Sequence, residues 1–492
     1  MAKLKHIIKQ LSEEDFDAIY HSLTSSNADK SAFLLKAMRS RNMSDNQILE
    51  VLQVNTNAYY TLRSRLNQKI EEHLLQQMES PRTDLLKKVS NINEMVFTKK
   101  KAISIATLKK LEKELLDYDL SNELTVVYKA LKKLHINSPD FFHYSQLYNK
   151  HVSYMLAIDK IEDILADYFK KFSVFTLTGD EIEKLSLDYL KKEINNMCDL
   201  YDSHRPYVYK SCVNIFHRLF VMAEEQTEFD NGEEAIEDIF DRIDLIFEEY
   251  HKDAVYFHLK LVFEFLKLEY YNHYRVYRKA GSFYDEVNNS ASALLSYCNI
   301  FTFPSQFMYT KISRHLRLET EAEMYEECSK IFEDYSPDMD DIPNYINYIL
   351  YRSLSCYYAD KYDEAARWIN NLLNEMSLKK YPYAMLEIKA VLALQYCCMR
   401  DFELFNQLIS SIQRQIRILG KENCEDVVLF VKMLKTGLSD VKRDKEIKVN
   451  SLSEKFLITP QPRNFSPIHF VRIDDKFKHV ICRNDPYTEI KS

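Results

Sequence analysis

The residues closest to a chemical pattern are three aspartates, Asp338, Asp340 and Asp341, set between Pro337 and Pro343. Closely spaced carboxylates in a short loop are what a calcium ion takes. Such a loop also needs a glycine at its turn, which is missing, and a bidentate carboxylate at its end, where Ile349 stands. The segment therefore reads as an acidic linker. The histidines fall singly and H-E-x-x-H is absent. The nine cysteines, at 198, 212, 298, 328, 356, 397, 398, 424 and 482, show neither C-x-x-C nor Cys/His ligand spacing, so no metal site is expected. Buried reduced thiols in a reducing, cytoplasmic setting are the better reading. Glycine occurs only at 179, 232, 281, 420 and 437, so neither G-x-G-x-x-G nor G-x-x-x-x-G-K-[ST] is present and no nucleotide or other cofactor is expected. Without a strained serine elbow, no Ser/His/Asp set stands out from chance. No catalytic residue is assigned, and the chain reads as a non-enzyme.

The 492 residues include only 5 Gly and 11 Pro, against usual shares of about 7% and 5%. Few breakers leave long helices. The chain is too long for one compact core, but a solenoid grows without one. Apolar content of 46% supplies buried surface, and 34 Tyr and 28 Phe against 1 Trp make much of it aromatic. The net charge of −8 hides an asymmetry: residues 1–135 carry +5, residues 136–350 carry −18, and residues 351–492 carry +5. An acidic middle disfavours nucleic acid there, because phosphate binding needs clustered cations. The start, MAKLKHIIKQLSEED, lacks the apolar core of a secretory signal, and no stretch approaches the ~20 uncharged residues of a membrane span. A membrane association is not expected.

Residues 1–80 read as a small helical domain. Within it, Ser44 is a helix cap, Ile48 and Leu52 lie in the first helix, Val54 closes a turn, and Thr56 or Asn57 caps a second helix with Leu62 and Leu66. This pair, Ser44 to Ile70, resembles the helix-turn-helix of the sigma-factor region-four type, with Gln53 where that family prefers glycine. The resemblance implies DNA contacts from Asn57, Thr61, Arg63, Arg65 and Lys69. Read without it, the segment is a helical hairpin packed on its neighbours. Pro81 marks a boundary. Residues 81–248 follow as helical hairpins, and Thr178-Gly179-Asp180 ends one helix and caps the next.

From about residue 249 to 446 an elbow recurs. Aligned on the aromatic of SFYDEV, MYEEC, KYDEA and DFELF, residues Tyr284, Tyr325, Tyr362 and Phe402 are separated by 41, 37 and 40 residues. An interval of that size marks a helix-pair solenoid. Each aromatic is expected at the start of the second helix of a pair, with acidic neighbours at the positive end of the helix dipole. In KYDEA the small Ala365 falls where two helices approach closely. The stretch Tyr348 to Leu373 resembles the tetratricopeptide repeat: Tyr362-Asp363-Glu364-Ala365 matches the opening of the family's second helix, with Asp360 in place of the turn glycine. The resemblance implies an α-α superhelix whose groove holds a peptide or helix of another protein.

Residues 447–492 change character. Pro460, Pro462 and Pro467 break the helical period, and IHFVRIDDKFKHVICR alternates like short strands. A β-hairpin or an extended tail, docked on this chain or another, is expected. The sequence thus predicts an all-α chain: a tetratricopeptide-like solenoid with an N-terminal helical bundle and a short extended or hairpin tail. The function it points to is a scaffold or adaptor binding another protein or peptide. The alternative is a transcription-regulator-like protein with an N-terminal DNA-binding helix pair and a repeat sensor.

Overall fold

The computed structural model describes residues 4, 7–8, 11, 13–26, 28–39, 45–77, 81–201, 203–222, 234–251, 254–290, 306–331, 337, 339–439, 445–459 and 465–482. Among them every regular element is an α-helix or a short 3-10 turn, and there is no strand. Scarcity of Gly and Pro is the local cause. By Cα proximity the chain divides into two compact units, Met1–Ser153 with Tyr250–Ala254, and Tyr154–Glu249 with Val255–Ser492.

The first unit contains α1 (Glu13–Ser25), α2 (Asp29–Arg39), α3 (Asp45–Leu52), α4 (Thr56–Gln77), α5 (Pro81–Ser90), α6 (Ile92–Thr98), α7 (Lys101–Asp117) and α8 (Ser121–Leu134). The division falls within α9 (Asp140–Thr178). Its first core gathers Ile19, Leu34, Leu35, Met38, Ile48, Tyr59, Leu66 and Ile70, residues at helical spacing on α1 to α4. A second core collects Leu85, Leu108, Leu115, Leu124, Val127 and Leu131 from α5, α7 and α8. Asn55, rather than Thr56 or Asn57, caps α4, its Oδ1 accepting from Ala58 N at 2.8 Å. Ser44 lies outside the described residues.

The second unit continues with α10 (Glu181–Cys198), α11 (His204–Phe220), α12 (Ile236–Glu249), α13 (Ala254–His273), α14 (Tyr277–Asn289), α15 (Gln306–Leu318) and α16 (Met324–Ile331). Then come α17 (Ile342–Tyr358), α18 (Tyr362–Glu375), α19 (Pro382–Met399), α20 (Phe402–Leu419), α21 (Glu425–Leu438), α22 (Lys445–Ile458) and α23 (Asp475–Cys482). Gly179 adopts φ +64° and Asp180 caps α10 by accepting from Ile182 N at 3.0 Å, as the sequence predicts. Asp341 of the acidic linker serves as the N-cap of α17, and Asp401 as that of α20.

From α13 to α20 the helices come in four successive pairs joined by short elbows. Each elbow holds one residue in the left-handed region: Arg275, Glu319, Asp360 and Arg400, with φ between +58° and +61° and spacings of 44, 41 and 40 residues. Glycine is the usual occupant of such a position, and its rarity in this chain is why four ordinary side chains stand there. Within the row, α17 packs on α18, α18 on α19, α19 on α20 and α21, and α21 on α22. Ala365 is fully buried where α17 meets α18, and Ser353 Oγ donates to its carbonyl oxygen at 3.1 Å.

The elbows correct one alignment made on aromatics alone. Tyr362 and Phe402 begin α18 and α20, and Tyr325 follows the first residue of α16, as expected. Tyr284 sits instead in the middle of α14 and is buried. The residue two beyond the left-handed Arg275, equivalent to Tyr362 after Asp360 and Phe402 after Arg400, is Tyr277.

The C-terminal expectation is also corrected. Residues 445–482, where described, form α22, a 3-10 turn at Pro467–Phe470 and α23, not a hairpin or an extended tail. Asp474 Oδ1 accepts from Phe477 N at 2.8 Å and caps α23, while Phe477 and Ile481, four residues apart, share its buried face. A period near two before Asp474 thus gives way to a helical one after it. Gly437 of α21 accommodates this helix: a Cβ there would lie 3.0 Å from Ile481 O. Residues 483–492 lie outside the described set.

Candidate functional site

Three of the four elbows face one segment of polypeptide, residues 465–482. Arg400 donates to Val480 O at 2.8 Å and to Ile481 O at 3.2 Å. Asp360 receives Lys476 Nζ at 3.1 Å. Glu319 lies 3.5 Å from the Arg472 guanidinium, which also pairs with Glu321 and donates to Leu316 O. Between these contacts the Tyr358 hydroxyl donates to Phe470 O at 2.7 Å and accepts from Arg472 N at 2.8 Å. Apolar side chains complete the contact, because Phe465, Ile468, Val471, Phe477 and Ile481 are buried in the same core as α17 to α21.

The aromatic openings of the second helices work locally. Tyr362 OH donates to Asp360 Oδ1 at 2.7 Å, tying the left-handed residue to the helix that follows. Tyr325 OH donates to Glu364 Oε2 at 3.1 Å, and Lys361 Nζ lies 3.5 Å from the Tyr325 ring centroid, so this tyrosine joins α16 to the next elbow. Phe402 is 40% exposed and contributes the least.

A second polar centre lies where α14, α15 and α16 meet. Lys311 is 2% exposed, and its Nζ reaches Glu327 Oε2 at 2.6 Å, Asn288 Oδ1 at 2.5 Å and Tyr284 OH at 3.3 Å. His315, one turn along α15, places Nε2 3.5 Å from the same Glu327 oxygen. His315 first, and then Lys311, hold the Glu327 carboxyl down to about 2, while burial pulls the Lys311 ammonium below the usual lysine range. Next to this centre opens a cavity of about 300 Å³, lined by Tyr284, Tyr277, Arg314, Arg317 and Glu269 among others. Tyr284, chosen from the sequence as a repeat residue, is instead a member of this polar centre. Lys311, Arg314, His315 and Arg317 were missed. The signal was the basic run KISRHLRL, hidden by the acidic average around it.

The residues proposed for DNA are not all brought together. Asn57, Thr61 and Arg65 are exposed at four-residue spacing on one face of α4, and Thr61 Oγ1 donates to Asn57 O at 3.0 Å. Glu72 continues that face and is exposed. At 100° per residue Arg63 lies well around the helix from Asn57, its guanidinium 5.7 Å from the Tyr59 ring centroid, whereas Lys69, four residues beyond Arg65, continues the row and is half-buried.

Thiol chemistry has little to work with. Cys198, Cys356 and Cys397 are buried, and burial pushes each thiol up to about 12, so thiolate is scarce at neutral pH. Among the described residues no group of three or more Cys, His, Asp or Glu is disposed to hold a metal ion, and no helix is long and apolar enough to cross a membrane. Comparison with family models, with curated proteins and with solved structures finds no match for this chain.

Proposed function

We propose that this chain is a non-catalytic scaffold or adaptor whose α13 to α21 form a tetratricopeptide-like repeat that binds another protein or peptide. The observation that carries the reading is the edge of successive elbows holding residues 465–482. Side chains at Glu319, Asp360 and Arg400 take up a polypeptide through its charged groups and its backbone carbonyls. Recognition of that kind is readily extended to a second polypeptide, because main-chain contacts supply affinity and neighbouring side chains supply selectivity. The buried thiols support a reducing, cytoplasmic setting. Affinity purification of the tagged full-length chain from its own cells tests the reading. A discrete partner enriched over an unrelated helical chain is expected, and recovery of nothing above that control contradicts it.

DNA binding by the N-terminal domain, residues 1–80, through its helix pair at 44–70 is the second reading, and the exposed face of Asn57, Thr61 and Arg65 is what favours it. A gel-shift assay at low salt with the wild-type chain and an Arg63→Ala, Arg65→Ala double variant decides it. Absence of a shift with either protein removes this reading.

A further inference from the structure

The cavity beside the Lys311 centre is not used by the scaffold reading. Arg314 and Arg317 lie three residues apart on α15, a spacing that puts them on one face of the helix. Each guanidinium is laid over a tyrosine ring of α14: Arg314 lies 4.0 Å from the Tyr284 centroid and Arg317 3.9 Å from that of Tyr277. Stacking occupies the flat face of a guanidinium and leaves its N–H edges to bond, with the fork already oriented. Among the described residues neither arginine is within ion-pair distance of a carboxylate. The acidic groups nearby are engaged elsewhere, Glu327 by Lys311 at 2.6 Å and Glu269 by Thr310 Oγ1, which donates to it at 2.6 Å.

We infer that this cavity is a binding site for a phosphate monoester. Two stacked cations that no carboxylate of the described residues pairs with match the charge of about −1.5 to −2 that such a group carries near pH 7. A monocarboxylate would leave one of them unmatched. Planar guanidinium forks suit phosphate oxygens, which accept two parallel N–H bonds from each. Ser313, Gln306 and Asn272 add neutral polar groups to the lining, and Phe220 and Leu268 form an apolar wall for the organic part. Burial raises the Glu269 carboxyl to about 7, so near neutrality this group is partly protonated and only partly opposes an anion. The volume of about 300 Å³ admits a compact ester, at the small end of ligand pockets. A free sugar phosphate and a phosphorylated side chain of another protein share this chemistry.

Isothermal titration of the full-length chain at low salt, with glucose 6-phosphate, free phosphoserine, a phosphoserine peptide and glutarate, separates the cases. Saturable binding of at least one phosphate probe, and a rise in the melting temperature of the wild-type chain in its presence, are expected. An Arg314→Gln, Arg317→Gln double variant should bind about 100-fold or more weakly, the loss expected when two charge-assisted hydrogen-bonding groups are removed. The corresponding double lysine variant, which keeps the charges without the forks, should fall between. A peptide preferred over the free esters by more than about tenfold identifies a phosphoprotein as the source, and no such preference identifies a small ester. The inference is overturned if no phosphate probe saturates, if glutarate binds as tightly as the esters, or if the glutamine variant binds like the wild type. Should that variant fail to fold, the single Arg317→Gln change on an exposed side chain and the wild-type melting shift still decide the matter.

Discussion

At the scale of single residues, Ala365 and Lys311 show two ways of filling a helical interface. Ala365 is fully buried, and Ser353 Oγ of α17 donates to its carbonyl oxygen. Ala365→Glu should destabilise the unit by about 3–5 kcal/mol, the cost of an uncompensated buried charge, and an unchanged melting temperature would show that the packing of α17 on α18 is misassigned. Lys311 is a charge already buried and matched. Glu327→Gln leaves that ammonium without its anion and should cost about 3–5 kcal/mol, whereas Lys311→Met together with Glu327→Gln should cost much less, because the pair is removed as a unit.

The pH dependence follows from the same contact. Glu327 has its folded value lowered from the ordinary 4.5 to about 2, so its contribution is complete above about 4.5 and is lost as pH falls through about 2. Melting temperature should therefore fall more steeply across that window in the wild type than in Glu327→Gln. Ala365 was legible in the sequence because a small residue among large ones stands out at a helix opening. Lys311 was not, because a lysine two residues before Ser313 in an acidic region reads as solvated charge until the fold buries it.

At the scale of elements, the elbows decide how the helices pair. A left-handed conformation is costly for a side chain with a Cβ, and Arg275, Glu319, Asp360 and Arg400 all adopt it. Arg275 is exposed, and among the described residues its side chain makes no hydrogen bond or ion pair, so Arg275→Gly should stabilise the protein by about 0.5–1 kcal/mol, read as a shift of the denaturation midpoint. Asp360→Gly should gain nothing, because it also removes the bond from Tyr362 and the pair with Lys476. Equal stabilisation by both substitutions would mean that the Asp360 contacts contribute nothing.

The existence of helix pairs was readable from period and acidic openings, and Tyr362 and Phe402 were placed where helices do begin. Tyr284 was misplaced by aligning aromatics, since a sequence shows side-chain types and not the backbone angle that ends a helix. The C-terminal helix α23 was read as a strand because its eight residues follow a stretch of alternating pattern, and its cap at Asp474 carries the switch of period.

At the scale of the molecule, the all-helical class followed from five glycines, eleven prolines and helical periodicity throughout. Contacts between residues far apart in the chain were beyond reach: Tyr358 with Phe470 and Arg472, or Arg400 with Val480. Nothing local in either partner announces the other. These long-range bonds carry the central claim, that the edge formed by successive elbows is a surface for polypeptide, here occupied by residues 465–482. Hydrogen–deuterium exchange of the full-length chain, wild type and Tyr358→Phe, tests it most directly. In the wild type, the amides of 470–482 should be protected, and Tyr358→Phe should speed exchange around Arg472 while α17 to α21 keep their protection. Exchange of 470–482 at the rate of an unfolded chain in the wild type would contradict the claim.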